Sequence, residues 1–260
     1  MNQPVTGEDL LCDLGTEVIG KQIFSYESLD STNNTCFRLG EQGCVEGTCI
    51  FTEFQTKGRG RLGRSWVSPK GKNILFSVLL RPKLTPQEVC KVTLMASIAM
   101  VRTFRKLKNK RFGIKWPNDI LYEEKKVAGI LTEMSAETDC VNFVVVGIGV
   151  NVNADRKDLP PEATSIKEAT GQTINRLALS KELLKALDAE YRRFQEQRFG
   201  ELAKDWEEFS VTSGRRVSAT LLNRQIHGQA VGIDAEGALW IREDSGLQTR
   251  ILSGDIQHLR

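Results

Sequence analysis

The residues best suited to chemistry lie in one basic stretch, residues 55–66, which reads QTKGRGRLGRSW. Glycine lets a backbone approach a ligand closely and turn its N–H groups toward an anion. Arginine donates paired hydrogen bonds to carboxylate or phosphate, and tryptophan stacks on a base or a sugar. The stretch, called the basic loop below, therefore predicts a flexible anion-binding site with an aromatic cover. Its glycines are Gly58, Gly60 and Gly63, its cations are Lys57, Arg59, Arg61 and Arg64, and Trp66 ends it.

Two other interpretations of the basic loop stay open, a solvated loop and a nucleic-acid patch. No Asp or Glu occurs between Glu53 and Glu88, so the positive charge is not neutralised locally. The net charge of the whole chain is only +3. That value is too small to indicate nucleic acid as the partner, so the positive charge is a local feature.

Length and composition indicate one large domain, or one domain with a small addition. The chain has 260 residues, of which 40% are hydrophobic, enough for a sizeable core. The N-terminus lacks a basic flank and a long apolar run, so we expect no signal peptide. The longest apolar stretch, residues 141–152, contains glycines and is too short to span a bilayer. We therefore expect a soluble cytoplasmic protein with no membrane contact.

Cysteine and histidine usage restricts the chemistry. Six cysteines show no C-x-x-C pair and no metal spacing, so we expect reduced, mostly buried thiols. The two histidines, His227 and His258, lie in the last forty residues. The main body would then work without imidazole, which argues against a Ser-His-Asp triad or a histidine-bound zinc there. Any chemistry in the main body would then depend on Lys, Arg, Asp and Asn side chains and on backbone donors.

The hydrophobic pattern predicts a mixed α+β fold. We expect Gly40 to end a short helix capped by Ser31 or Thr32, and a capping box at residues 85–88 to open a helix. Beyond residue 213, short alternating segments with turn residues predict a small all-β domain, plausibly a barrel, to which we assign no catalytic role. The other predicted helices are 85–107 and 180–209, with a break near Gly200, and the predicted strands are 48–54, 74–80, 111–115, 126–134, 141–147, 216–222, 225–233, 238–242 and 249–252.

Four further segments carry polar groups that could join the basic loop. KWPND, residues 115–119, presents Asn118 and Asp119 together, which could hold Mg²⁺ or orient a nucleophile. Lys126 is followed by the small residues Ala128 and Gly129, against which a ligand could lie. GIGVNVN, residues 147–153, ends in two asparagines that are either adenine-binding or turn residues. Ser31, Thr32 and Asn33 cluster at a helix start, where capping explains one polar group but not three.

These segments, in this order and spacing, resemble the catalytic domain of biotin protein ligases, the biotin–[acetyl-CoA-carboxylase] ligases. The motifs are STN, EFQTKGRGRLGRSW, KWPNDI, KKVAGILTE and GIGVNVN. The last fifty residues resemble that family's Src-homology-3-like β-barrel. The resemblance implies a mixed β-sheet flanked by helices, related to the class II aminoacyl-tRNA synthetase core, over residues 1–212, with the barrel over 213–260. It also implies a two-step reaction, in which biotin and ATP give biotinoyl-5′-AMP and a lysine of a carboxyl-carrier domain then takes the biotin.

The resemblance assigns roles to individual residues. Catalysis would involve Lys126, Arg59, Arg61, Asp119 and Lys115, with Lys126 bridging the biotin carboxylate and the α-phosphate, and Asp119 orienting or deprotonating the acceptor lysine. Mg²⁺ is expected to bind together with ATP, and we expect no cluster of protein side chains that holds the metal directly. Asn118 or Asp119 would lie near the ion. The predicted biotin-binding residues are Ser31, Thr32, Asn33, Gln55, Arg59, Gly60, Arg61, Lys126 and Gly129, and the predicted ATP-binding residues are Arg61, Arg64, Trp66, Asn118, Lys126 and Asn151.

The expected partner is the biotin carboxyl carrier domain of a biotin-dependent carboxylase. Repressors of this family carry an N-terminal helix-turn-helix domain, and about twenty residues before the first strand leave no room for one, so we expect no DNA binding. Position 62 is leucine where some relatives have arginine. The family contains monomers and homodimers, and both stay open here.

Two other functions remain as alternatives. A lipoate–protein ligase would share the fold and the acyl-adenylate chemistry, but the arginine-rich loop and the STN group favour a ureido ligand with a free carboxylate. A nucleic-acid-binding protein would need aromatic residues along the barrel strands, and Trp240 is the only aromatic after Phe209.

Overall fold

The computed structural model describes residues 3–107, 111–196, 198–221, 224–252 and 254–259. Helices and strands are mixed along the chain up to about residue 209, and the elements described after it are strands. The helices are α1 Gly7–Leu11, α2 Thr32–Glu41, α3 Cys90–Arg105, α4 Ile166–Thr170, α5 Arg176–Gln195 and α6 Phe199–Phe209. The first seven strands are β1 Ile23–Tyr26, β2 Cys49–Thr52, β3 Ile74–Leu80, β4 Phe112–Lys115, β5 Asp119–Tyr122, β6 Lys125–Ala136 and β7 Val141–Val150.

These seven strands form one mixed sheet in the order β1-β2-β3-β7-β6-β5-β4. Only β1 and β2 run parallel, and every other neighbouring pair is antiparallel. Strand β3 is buried along its whole length, because its residues ILFSVLL contribute to packing on both faces. Helix α3 buries Met95, Ile98, Ala99 and Phe104 against the sheet, and α5 and α6 pack beside it. The mixed sheet with flanking helices confirms the predicted fold.

The C-terminal residues form a second sheet of five antiparallel strands. Its strands are β8 Arg216–Leu221, β9 Arg224–Ile233, β10 Leu239–Glu243, β11 Gln248–Ile251 and β12 Asp255–His258, in the order β11-β10-β9-β8-β12. Val217, Ile226, Leu239, Ile241 and Ile251 are buried within it. The small all-β unit was therefore predictable from the alternation of apolar and polar residues. The predicted turn around residue 223 lies outside the described residues. The division at 212/213 stays a prediction.

Several boundaries differ from the sequence prediction for identifiable reasons. Gly40 does not end its helix, since α2 continues to Glu41. A methyl group at Gly40 would lie 2.8 Å from the Phe143 ring. Glycine at this position therefore permits close packing and does not make a left-handed turn. The capping box at Thr85 opens a 3-10 turn, Pro86–Glu88, and α3 starts only at Cys90. The predicted break near Gly200 occurs earlier, between Gln195 and Phe199.

Two other expectations also change. Ser31 occupies the N-cap position of α2 but makes no side-chain capping bond, so the expected capping by its hydroxyl is wrong. Cys36 and Cys49 are buried, and burial raises the pKa of the Cys36 thiol to about 12. Cys12 and Cys140 are exposed, so the expectation of mostly buried thiols is wrong for these two.

In the described part of the chain, no helix is long and apolar enough to cross a bilayer.

Candidate active site

A cavity of about 560 Å³ opens between the basic loop and the face of strands β5, β6 and β7. Residues far apart in sequence reach it because the N-terminus of α2, the basic loop and the central strands meet at this point. The cavity is lined by every residue that the sequence assigned to a site: Ser31, Thr32, Asn33, Gln55, Arg59, Gly60, Arg61, Arg64, Trp66, Lys115, Asn118, Asp119, Lys126, Gly129 and Asn151. Their individual roles stay predictions.

Glycines on two neighbouring strands form the floor of the cavity. A Cβ atom at Gly147 would lie 1.9 Å from Asn33 Oδ1, and one at Gly149 would lie 2.6 Å from Trp66 Cε2. Gly129 is paired with Gly149 in the β6–β7 ladder, and its added Cβ would lie 3.2 Å from Trp66 Cζ3. Side chains from α2 and the basic loop can therefore lie directly on the backbone of β7. The alternation GIG in residues 147–149 was the sequence signal for this floor.

One end of the cavity is a buried network of neutral polar groups. Gln55 Oε1 accepts hydrogen bonds from the Thr32 backbone N–H at 2.8 Å and from the Thr32 hydroxyl at 3.1 Å. Ser77 Oγ lies 2.6 Å from Asn33 Oδ1 and 2.8 Å from Thr32 Oγ1. Thr32, Asn33 and Ser77 are each less than 5% exposed. Fixed donors and acceptors of this kind suit a neutral polar ligand, and Ser77 was not identified from the sequence because it lies within an apolar strand.

The basic loop folds on itself over the cavity. Gly60 N–H donates to Arg64 O at 2.7 Å, and Trp66 N–H donates to Gly58 O at 3.0 Å. Between these bonds, Leu62 and Gly63 have positive φ angles of 54° and 72°, which make a tight left-handed turn. The side chain of Leu62 is 72% exposed at the tip of this turn. The folded loop thus brings Arg59, Arg61 and Arg64 to the wall of the cavity.

The positive charge of the loop, which has no acidic residue in its own stretch, is partly neutralised by a residue distant in sequence. Glu133, on strand β6, pairs with the Arg59 guanidinium at 2.6 Å. Arg61 donates to the side-chain carbonyl of Asn118 at 3.1 Å. Local sequence could not reveal the first contact, because Glu133 is more than seventy residues away, and its place at the end of the motif KKVAGILTE does not identify Arg59 as its partner.

Lys126 and Asp119 form an ion pair in the cavity wall, with Lys126 Nζ 2.7 Å from Asp119 Oδ1. The ammonium group is therefore the partner of that carboxylate oxygen. Lys126 Nζ also lies 5.5 Å from the centroid of the Trp66 ring. The indole Nε1 of Trp66 is buried without a hydrogen-bond partner among the described residues. An unpaired buried polar atom is costly, so the indole N–H fits a site that a polar ligand completes.

The asparagines at the end of β7 are largely engaged by the protein. Asn151 donates to Thr164 O at 3.2 Å and accepts from Asn73 at 3.2 Å. Asn153 binds the backbone of Ile174 through both amide atoms, at 2.8 and 2.9 Å, and does not line the cavity. For Asn153 the turn interpretation is therefore the correct one. Asn118 also donates to Ile130 O at 2.8 Å.

The C-terminal sheet reaches the same cavity through Gln257 and His258. His258 Nε2 lies 3.1 Å from Thr212 Oγ1, and that oxygen accepts a hydrogen bond from the Trp116 N–H at 3.1 Å. Because the Thr212 oxygen already accepts one bond, its proton is available to the imidazole nitrogen. An imidazole from the C-terminal unit therefore lines the cavity, whereas the absence of a catalytic role for that unit stays a prediction. No sequence signal placed this strand at the site.

The environment of His258 favours its neutral form. Burial, followed by the charges of Lys115 and Arg215, lowers the pKa of His258 to about 4, and Glu124 opposes the shift. An unfolded histidine has a pKa near 6.5. As the pH falls from about 6.5 to 4, the unfolded chain therefore binds a proton that the folded chain excludes, and stability is lost in that window.

We expect the free energy of unfolding to fall by about 2 kcal/mol through this residue between pH 6.5 and 4, after allowance for its partial exposure. In a His258→Gln variant, a neutral amide that can still accept from Thr212 should make the profile flatter over that window. Urea unfolding of both proteins at half-unit pH intervals measures the difference. Parallel profiles would show that His258 does not titrate in this way.

A cavity that places fixed cations and an indole above a glycine floor suits the binding of anionic small molecules, with room for more than one ligand group. Residues 25–151 match the Biotin/lipoate A/B protein ligase family, and residues 212–259 match the Biotin protein ligase C terminal domain.

Named relatives and solved structures agree with these matches. The chain is 38% identical over 248 residues to the bifunctional ligase/repressor BirA of Bacillus subtilis, covering 94% of this chain and 76% of that protein. It is 33% identical to the biotin–[acetyl-CoA-carboxylase] ligase of Mycobacterium tuberculosis, covering 88% and 86%. The structure of the Aquifex aeolicus biotin protein ligase in complex with biotin and ATP superimposes with a TM-score of 0.77 at 32% identity, over 92% of this chain and 99% of that chain. The chain belongs to the biotin protein ligase family.

Proposed function

We propose that this protein is a biotin–protein ligase that joins biotin to ATP and then transfers the biotin to a lysine of a carboxyl-carrier domain. In the first step a biotin carboxylate oxygen attacks the α-phosphorus and pyrophosphate leaves. In the second step the lysine amine attacks the acyl carbon and AMP leaves. The observation that carries the proposal is one cavity that holds a neutral polar network at one end and clustered cations beside an indole at the other.

The division of the cavity follows from its chemistry. We assign the ureido ring of biotin to the end formed by Thr32, Asn33 and Gln55, where neutral donors and acceptors are already fixed. The valeryl carboxylate then lies toward Arg61 and Lys126. Adenine lies beside Trp66, whose ring rests on the glycines of β6 and β7 and whose buried indole N–H has no hydrogen-bond partner among the described residues.

The Lys126–Asp119 pair serves both steps in this proposal. Both reactants of the first step are anions, so a fixed ammonium lowers their mutual repulsion as they approach. When Lys126 binds the reacting oxygens, its pairing with Asp119 weakens, and the carboxylate becomes free to accept a proton from the incoming lysine. The 2.7 Å contact between Lys126 Nζ and Asp119 Oδ1 supports this role, because binding at one group changes the pairing of the other.

Magnesium would enter with the nucleotide. No group of three or more His, Cys, Asp or Glu side chains in the described ranges could hold a metal ion, so the residues do not form a protein cage. They do fit a hydrated ion bound mainly by phosphates, with Asp119 nearby, which is the usual arrangement for Mg²⁺ at a nucleotide. The ion would neutralise charge on the departing pyrophosphate.

The test is ATP–pyrophosphate exchange with isotopically labelled pyrophosphate. We expect exchange with biotin and background incorporation without it, because the carboxylate is the attacking group. Lipoate serves as the comparison substrate. Equal exchange with lipoate would support the lipoate ligase alternative, and no exchange with either acid would contradict acyl-adenylate chemistry.

A further inference from the structure

Glu133 is an acidic side chain just outside the cavity, and it contacts two cavity residues from different elements. Its Oε2 atom accepts from Arg59 Nη2 at 2.6 Å and from Asn33 Nδ2 at 2.7 Å. Arg59 belongs to the basic loop, whereas Asn33 belongs to the first turn of α2. One carboxylate oxygen therefore joins the loop to the polar end of the cavity.

The contacts of Asn33 explain why this oxygen is well placed. Asn33 is 3% exposed and also donates to Leu131 O at 3.0 Å, while its Oδ1 lies 2.6 Å from Ser77 Oγ. The asparagine is thus held on three sides and lies directly over Gly147. A carboxylate bound to such a fixed amide is itself fixed, so it presents a constant acceptor to the more mobile arginine.

The Arg59 guanidinium is directed toward strand β6 by this contact. The side chains of Arg59 and Glu133 are 42% and 28% exposed, so the ion pair is partly screened and its gain in stability is small. Its geometric effect is larger. The backbone at Arg59 pairs with Ser65 across the loop, and Gly60 N–H donates to Arg64 O. Fixing Arg59 therefore fixes the start of the folded loop and the direction of its next N–H groups.

We propose that Glu133 is a positioning residue, which holds the basic loop against β6 and thereby orders the carboxylate-binding groups before biotin arrives. This inference rests on the proposed function. The contact also couples the two ends of the biotin molecule, since the ureido end would touch Asn33 and the carboxylate end would touch the loop. In this arrangement the Arg59 side chain acts through the position of the loop, and the loop backbone with Arg61 binds the anion.

A Glu133→Gln variant separates this role from a general effect on folding. Glutamine keeps an acceptor for Asn33 but loses the charge that holds Arg59. We expect the biotin KM in ATP–pyrophosphate exchange to rise about tenfold, the scale of one charge-assisted hydrogen bond, while kcat at saturating biotin changes less than about threefold. Tryptic cleavage after Arg59, Arg61 or Arg64 should become faster without ligand and should again be suppressed by biotin.

Three further variants complete the test. Glu137→Gln removes the same charge from an exposed position near the end of β6 and should leave KM and cleavage unchanged. Arg59→Gln should raise KM to a similar degree, and the double variant Arg59→Gln/Glu133→Gln should be no worse than either single one, because both remove the same contact. Additive effects, or an unchanged KM and cleavage rate in Glu133→Gln, would overturn the inference. An inactive wild-type protein would instead contradict the proposed function, so the two failures are distinguishable.

Discussion

Replacing Lys126 by alanine should reduce biotin-dependent ATP–pyrophosphate exchange by two to three orders of magnitude, the scale of removing one preorganised charge donor from an active site. The physical reason is that two anions must approach each other, and Lys126 Nζ is the cation fixed between Asp119 and the Trp66 ring. A loss in kcat that persists at saturating biotin and ATP would identify an interaction made mainly in the transition state.

Lys125 provides a matched control for this experiment. It is the preceding residue, it carries the same charge, and it is exposed at the start of β6. Lys125→Ala should keep exchange within about twofold of wild type, as expected for a surface substitution. Thermal unfolding of each variant excludes a folding defect as the cause. Comparable losses in the two variants would show that net charge, and not the position of Lys126, determines the rate.

The second large effect is expected at Gly147. A methyl group there would lie 1.9 Å from Asn33 Oδ1, which is far inside van der Waals contact, so in Gly147→Ala the amide must move. Movement breaks the contacts of Asn33 with Ser77, Leu131 and Glu133 together. We expect the biotin KM to rise about a hundredfold, consistent with the loss of a buried network, with a smaller change in the ATP KM.

Gly200→Ala is the control for the glycine substitution. Gly200 lies in α6 with no atom within 4 Å of an added Cβ, so alanine should leave both KM values unchanged and stabilise the helix by about 0.5–1 kcal/mol. Steady-state exchange and calorimetry measure both quantities. A Gly147→Ala protein that folds normally and binds biotin like wild type would show that Asn33 does not contact the ligand.

The order of strands and helices was largely predictable because local patterns determine it. Strand β3 spans residues 74–80 as predicted, since an apolar run between turn residues has few other structures available. Strand β5 was missed because its four residues follow a proline and lie inside a motif that already had a chemical interpretation. Close approach of a ligand was predicted at Gly129 of β6 from its small side chain, whereas the glycines of β7 were not assigned this role from the sequence.

The contacts between distant elements were not predictable from one sequence. Glu133 has no local feature that assigns it to Arg59, and Ser77 is a single hydroxyl within an apolar strand. His258 reaches the cavity only because the last strand of the second sheet packs near Thr212. The motifs and the family that they resemble therefore predicted which groups meet in the cavity, whereas the groups that hold them in place depend on the tertiary fold.

The central claim is that this chain attaches biotin to a carrier lysine, and mass spectrometry of a purified biotin carboxyl carrier domain tests it most directly. The carrier is incubated with the chain, biotin and ATP, and then digested to locate the modified residue. We predict one added biotin on one lysine, dependent on both ATP and biotin, and absent with Lys126→Ala at matched times. A carrier that stays unmodified under conditions in which an established biotin ligase modifies it, or one that accepts lipoate equally well, would contradict the account.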